Sequence, residues 1–249
     1  MVHLAARPSV PRSIIDPEAS HRVNATGTLE VLEAARRAGG AQVVVASSSS
    51  VYGANPELPK HEGLVTMPVS PYAASKLATE SYALAWQRSF GLPVLAFRFF
   101  NVFGPLQAAG HAYAAVVPAV VAAALSGEAL PVHGDGSQSR DFTYVDTVCA
   151  VLATAATAAV THDGPVNLAY GGRHTLLDVI TELEAILGHE LPRDHQPNRA
   201  GDVPHSQADS TLLQRLFPAV EPVGLADGLR ATVAWFRSTG VGANVATAG

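Results

Sequence analysis

The run Val43-Val44-Val45-Ala46 constrains the fold more than any other stretch. It is an unbroken apolar tetrad between a glycine pair and four serines, the pattern of a parallel strand buried on both faces. Such a strand needs helices above and below it, and the flanking sequence supplies them. Asp16-Pro17 opens a helical segment that Gly39-Gly40 closes, with Val23, Leu29, Leu32 and Ala35 available for a buried face and Asn24 in its middle. Ser70-Pro71 opens a second helix, stopped by Gly91 after Phe90. Strands are predicted at Met1 to Ala6 and Pro93 to Arg98, so the class is α/β with a doubly wound parallel sheet. Ligands of such sheets sit at the carboxyl ends of the strands. Two polar stretches lie there, Ser47-Ser48-Ser49-Ser50 and Phe99-Phe100-Asn101.

Further along, the pattern predicts a helix near Tyr113 to Leu125, a strand at Leu130 to His133 and a Gly134-Asp135-Gly136 turn. A helix near Asp146 to Ala159, a strand at Val166 to Leu168 and a helix at Leu176 to Leu187 follow. Two last helices are predicted near Asp209 to Leu216 and Leu225 to Arg237. With 249 residues, 48% of them hydrophobic, the chain can bury a large core. A formal charge of −5 without a basic run argues against nucleic acid as a partner. Cys149 stands alone, the N-terminus lacks a signal-peptide pattern, and the apolar run from Ala114 to Leu125 is too short for a membrane span; a cytoplasmic protein is expected. The histidines, cysteine and carboxylates show no metal-ligand spacing, and no metal is expected.

Within the second helix, Tyr72 falls in the first turn and Lys76 one turn later on the same face. An ammonium beside the phenol, with the positive end of the helix dipole, favours the phenolate and makes Tyr72 a candidate general base. The four serines read either as a plain polar loop or as hydroxyls that hold a substrate oxygen beside that base. Arg140 and Arg199 read either as partners of Asp141 and Asp202 or as a clamp for a diphosphate, which a planar guanidinium suits.

Seven segments occur in an order and spacing that resemble the extended short-chain dehydrogenase/reductase family. They are His3-Leu4-Ala5-Ala6, Val23 to Thr28, Ser47 to Gly53, Tyr72-Ala73-Ala74-Ser75-Lys76, Arg98-Phe99-Phe100-Asn101, Gly134 to Phe142, and Arg199-Ala200-Gly201-Asp202. Within that family they look most like the NAD-dependent nucleotide-sugar 4-epimerases of UDP-glucose and UDP-N-acetylglucosamine. The resemblance implies that Ser48 and Tyr72 handle the proton at the sugar O4 while NAD takes and returns the C4 hydride. Lys76 would lower the Tyr72 pKa and bind the nicotinamide ribose. Leu4, Ala5, Ala6, Asn24, Ala46, Ser47 and Phe99 would line the cofactor with Tyr72 and Lys76. Asn101, Arg140, Arg199 and Asp202 would hold the UDP part, or a dTDP part, with Ser48, Ser49, Ser50, Tyr72 and Ser206 also at the substrate.

Local residues rank the side-branches. Similar dehydratases carry an Asp-Glu pair where this chain has Ser49-Ser50, and glucuronate epimerases usually carry Thr at Asn101. Ser206 stands where hexose-restricted epimerases carry Tyr, which leaves room for an N-acetyl group. Family members commonly pair as homodimers through helices that correspond to Asp16–Ala38 and Pro71–Phe90.

The family begins with a strand, a Gly-x-x-Gly-x-x-Gly turn and a phosphate-binding helix. This sequence contains no such turn, and His3 to Ala6 matches the fourth strand of the family's domain. The resemblance therefore implies an N-terminally truncated Rossmann domain over 1–106 and 139–172, with an unpaired apolar sheet edge. A smaller nucleotide-sugar-binding lobe is expected over 107–138 and 173–238, and a disordered tail over 239–249. Two readings stay open. One is an active epimerase whose numbering starts at an internal methionine; the other is a nucleotide-sugar-binding fragment or subunit without catalysis. Uronate epimerisation or decarboxylation, and dehydration, are the further alternatives within the family.

Overall fold

The computed structural model describes residues 1–109, 115–197 and 205–240. In chain order its elements are β1 Val2–His3, α1 Val10–Ile15, α2 Pro17–His21, α3 Gly27–Arg37, β2 Val43–Ser48, α4 Pro71–Phe90, β3 Val94–Phe99, β4 Asn101–Phe103 and α5 Val116–Ser126. These are followed by β5 Leu130–His133, β6 Ser139–Arg140, β7 Phe142–Tyr144, α6 Val145–Thr157, β8 Pro165–Leu168, β9 His174–Thr175, α7 Leu176–Leu187, β10 Arg193–Gln196, α8 Thr211–Leu216 and α9 Leu225–Thr239. They form two compact units. The first comprises Met1–Phe100, Val148–Gly171 and Ala208–Glu221; the second is built from the remaining described residues.

The first unit is organised by a parallel sheet in the order β1-β2-β3-β8. β2 is buried along its whole length, as an apolar parallel strand requires, and pairs with β3 from Val43↔Val94 to Ser48↔Phe99. Val43, Val45, Val94 and Ala96 pack with Leu32 and Ala35 of α3 and Ala83 of α4. Each fully buried valine among them contributes about 1.5–3 kcal/mol of hydrophobic transfer. On β1 Val2 is exposed, as are the flanking Met1 and Leu4, and among the described residues β2 is its only strand partner.

α4 has the predicted ends. Ser70 Oγ accepts from Ala73 N at 3.1 Å, Pro71 takes the first turn, and Gly91 closes the helix in the left-handed region at φ 66°. The segment opened by Asp16 departs from the single helix expected. It is α2, a π-helical turn at Arg22–Thr26, and then α3. Asn24 lies inside the turn, where its side chain accepts from Arg7 N at 2.7 Å and donates to Arg7 O at 3.2 Å and Ser75 Oγ at 2.9 Å. A π-turn of this kind re-aims one side chain without ending the helix.

The second unit is a set of two-stranded pairings packed on helices. β4 runs parallel to β7, β5 parallel to β10, and β6 antiparallel to β9. Its core gathers Phe103, Val120, Leu130, Tyr144, Ile180 and Phe236. Gly228 sits inside α9 because a Cβ there would lie 2.8 Å from both Phe103 Cζ and Tyr144 Cδ2. The grouping of residues differs from the one read from the sequence in two places. Residues 101–106 and 139–147 go with the second unit, because β4 pairs with β7 and not with the large sheet. Residues 208–221 go with the first: Asp209 N donates to Lys60 O at 2.8 Å, and the Phe217 ring lies 5.9 Å from Phe97. The start of the helix expected near Tyr113 and the tail after Gly240 lie outside the described residues.

Candidate active site

The carboxyl end of β2 meets the first turns of α4, and the residues singled out in the sequence gather there. Lys76 is buried, and its Nζ donates to Ala46 O at 2.7 Å, the last apolar residue of β2. Tyr72 is placed one turn earlier, its backbone N–H donating to Ser13 Oγ of α1 at 3.0 Å. Ser48 ends β2 and caps the 3-10 turn Ser49–Tyr52. Its Oγ accepts from Ser50 N at 3.2 Å and from Ser50 Oγ at 2.9 Å. Gly53 closes that turn at φ 50°, where a Cβ would fall 1.8 Å from Met67 O.

The electrostatics depart from the expectation in one respect. Burial pushes the Tyr72 phenol up from its ordinary range, where a lowered one was expected, with Ser48 pulling the other way. Lys76 spends its bond on Ala46 O, and burial pushes its own pKa down to about 8. Burial, and then the Lys76 charge, also lower His3, whose Nε2 lies 3.3 Å from Thr28 Oγ1.

Behind these groups lies a buried network that the sequence reading missed. Glu80 continues the spacing of Tyr72 and Lys76 by another four residues. Its carboxylate takes a bidentate pair of bonds from Arg98, at 2.6 and 2.9 Å, and a third from Ser47 Oγ at 3.0 Å. Ser47 Oγ also donates to Lys76 O at 3.3 Å, so its side chain faces α4 and only its backbone is left for a cofactor. Arg98 stacks over the Tyr52 ring with 4.7 Å to the centroid, and Tyr52 Oη donates to Asn167 Oδ1 at 2.7 Å. The signal was present in the four-residue repeat, but a carboxylate on a helix reads as a solvated charge until its partner is placed.

Leu4 and Ala5 are exposed, Ala6 and Phe99 half-buried, and Asn24 is locked to the Arg7 backbone. In the second unit, Asn101 N donates to Asp141 O at 3.2 Å, Arg140 Nη1 to Ser139 O at 2.9 Å and Ser206 N to Ser139 O at 3.0 Å. Arg173 Nε and His205 Nδ1 converge on Ser139 Oγ at 3.3 and 2.9 Å, a polar cluster that sequence reasoning did not single out. Arg199, Asp202 and the loop between them lie outside the described residues. Among the described residues, no cluster of histidine, cysteine and carboxylates could hold a metal ion, and no helix is long and apolar enough to cross a membrane.

The donor set suits the nicotinamide-ribose end of a dinucleotide. A buried ammonium and a phenol stand together beside exposed apolar residues of the next strand end, with no carboxylate ion-paired to Lys76 among the described residues. For the pyrophosphate the sequence offers no glycine-rich turn.

Comparison with known proteins agrees with this chemistry. The profile of the NAD dependent epimerase/dehydratase family matches residues 1–169. The chain is 35% identical over 243 residues to the UDP-glucose 4-epimerase of Mycolicibacterium smegmatis, covering 95% of this chain and 75% of that protein. Among solved structures it superposes on a UDP-N-acetylglucosamine 4-epimerase from Methanobrevibacter ruminantium, bound to UDP-N-acetylmuramic acid, with TM-score 0.91 and 36% identity over 96% of this chain and 76% of that one. A UDP-glucuronic acid 4-epimerase from Bacillus cereus, with UDP-glucuronic acid and NAD bound, matches with TM-score 0.85 and 27% identity, over 96% and 76% of the two chains. With strand order, site chemistry and profile in agreement, the chain belongs to the NAD dependent epimerase/dehydratase family.

Proposed function

We propose that the chain is a nucleotide-sugar 4-epimerase that takes UDP-hexoses and UDP-N-acetylhexosamines. The observation that carries this reading is Tyr72 in the first turn of α4 with the buried Lys76 one helical turn on, its Nζ held on Ala46 O at the end of β2. Tyr72 and Ser48 shuttle the proton at the sugar O4, and the Lys76 charge one turn away offsets the burial that raises the phenol. NAD, when bound, supplies hydride acceptance and return at C4. Lys76 donates to the nicotinamide ribose from its seat on Ala46 O, and Leu4, Ala5, Ala6, Asn24, Ala46, Ser47 and Phe99 complete the cofactor contacts. Asn101, Arg140, Arg199, Asp202 and Ser206 take the UDP part, with both arginines on the diphosphate. On this assignment the first unit is the cofactor domain and the second the nucleotide-sugar lobe.

Ser49 and Ser50 argue for epimerisation over dehydration, because two hydroxyls offer no acid and base to eliminate water. A homodimer is assigned to α3 and α4, which with the turn before α3 leave Val23, Tyr82 and Phe90 exposed. The test is direct. The purified chain with NAD is expected to interconvert UDP-glucose with UDP-galactose and UDP-N-acetylglucosamine with UDP-N-acetylgalactosamine. Tyr72→Phe abolishes both reactions without weakening UDP binding. UDP binding without turnover and without bound NAD would replace this reading by a nucleotide-sugar-binding module.

A further inference from the structure

The strand pairing around Ser139 sorts the polar residues of the second unit onto two faces. β6 pairs antiparallel with β9 on one side, Ser139↔Thr175 and Arg140↔His174, and is bridged in parallel to His205 on the other. Ser206 N donates to Ser139 O at 3.0 Å, the bond that such a parallel bridge makes. Side chains alternate between the two faces along each strand. Ser139, Arg173 and His205 therefore share a back face, while Arg140, His174 and Ser206 share a front one. The contacts agree for the back face, where Arg173 Nε and His205 Nδ1 both meet the buried Ser139 Oγ, at 3.3 and 2.9 Å.

The faces differ in how their polar groups are used. On the back, three side chains satisfy one another. On the front, the half-buried His174 ring and the Ser206 hydroxyl make no hydrogen bond or ion pair with another described residue. The imidazole rests over Gly172, where a Cβ would come within 3.3 Å of its Nε2. Asp178, four residues on, accepts from Thr175 N at 2.7 Å and forms no ion pair with the ring. Across the front the order is His174, Arg140, Ser206, with neighbouring strands about 4.8 Å apart. Arg140 is given the diphosphate above and Ser206 the sugar. The diphosphate is the middle of a nucleotide-sugar, so the side of Arg140 away from Ser206 falls to the nucleoside.

We propose that His174 is a specificity-determining residue that hydrogen-bonds the 2′-hydroxyl of the nucleotide ribose and so favours UDP over its 2′-deoxy counterpart. This rests on the nucleotide-sugar reading and on the places it gives to Arg140 and Ser206. In its neutral form an imidazole presents one N–H donor and one acceptor nitrogen, which matches a hydroxyl that can both donate and accept. A ligand without that hydroxyl leaves the ring unpaired and binds more weakly. The same contact would select UDP-sugars over dTDP-sugars, whose ribose lacks the 2′-hydroxyl.

Calorimetric titration of the full chain with UDP and with 2′-deoxy-UDP, which differ only in that hydroxyl, tests the contact without turnover. The chain is expected to bind UDP roughly 5- to 10-fold more tightly, the worth of one hydrogen bond. His174→Phe should weaken UDP to the level of 2′-deoxy-UDP and leave the deoxynucleotide where it was. His174→Gln, which keeps a donor, should restore part of the preference. Arg173→Met, on the back face, should keep all of it. Equal weakening of both nucleotides by His174→Phe overturns the proposal, since the ring would then serve a phosphate or the fold. An unchanged preference in His174→Phe, or its loss in Arg173→Met as well, also overturns it. If the parent chain binds neither nucleotide, the nucleotide-sugar reading falls and this proposal with it. The expected preference without turnover of any UDP-sugar keeps His174 in its role and counts against epimerisation alone.

Discussion

Lys76 is a buried cation whose partner is a carbonyl and not a carboxylate. Burial lowers it from 10.5 to about 8, so between those values the unfolded chain binds more protons than the folded one and stability rises with pH. The penalty is complete below pH 8 and gone above 10.5. Lys76→Met should therefore stabilise the free chain at neutral pH by about 3 kcal/mol while ending turnover. A raised urea midpoint whose advantage shrinks from pH 8 to 10.5 is the expected readout. Glu80 gives the opposite prediction. Both it and Arg98 are about 5% exposed at the side chain, and Glu80→Gln leaves a buried guanidinium without its charge partner, at a cost of about 3–5 kcal/mol. Replacing both by methionine should recover most of that loss in the same unfolding assay; failure to recover would mean that Ser47 depends on the carboxylate itself. Tyr72 and Lys76 were legible because their relation is one helical turn. The partnership of Glu80 with Arg98 was not, because β3 brings the arginine from 18 residues away.

At the scale of elements, local chemistry and distant contacts divide the work. α4 carries its own start and stop in Ser70, Pro71 and Gly91, so its limits were readable. The turn after β2 is different. Gly53 is one glycine among 21, and nothing near it in the sequence says that Met67 O will stand where its side chain would be. Gly53→Ala should cost several kcal/mol, on the order of 3 or more, through both the clash and the positive φ. Thermal unfolding would show it, and a variant as stable as the parent would remove the turn from the account of Ser48. β10 was invisible for a related reason. Its residues Arg193 to Gln196 are exposed throughout, with no alternation to read, and the strand exists because its backbone pairs with β5.

For the whole molecule, the two tryptophans offer a way to read the units separately, since Trp86 lies in the first and Trp235 in the second. If the second unit is the nucleotide-sugar lobe, saturating UDP should raise the unfolding midpoint reported by Trp235 in a Trp86→Phe chain more than that reported by Trp86 in a Trp235→Phe chain. A ligand at 100 times its Kd contributes about 2.7 kcal/mol, enough to separate the curves. Equal shifts would argue against that division of labour. Substrate breadth belongs to the same scale. Ser206→Tyr should remove activity on the N-acetylated sugars and keep it on UDP-glucose, and unchanged selectivity would sink the idea that Ser206 makes room at C2.

The sequence by itself determined the class of the fold, the ends of its principal helix, and the spacing of Tyr72 and Lys76. Each of these follows from interactions over a few residues: apolar runs, caps, and one turn of helix. Only the tertiary structure decided that Ser47 faces α4, that Asn24 lies in a π-turn bonded to the Arg7 backbone, and that Glu80 is paired with Arg98. Those outcomes depend on which buried polar groups find partners across strands and helices. Burial makes an unpartnered group expensive, and the partners are set by packing and not by neighbourhood in the chain.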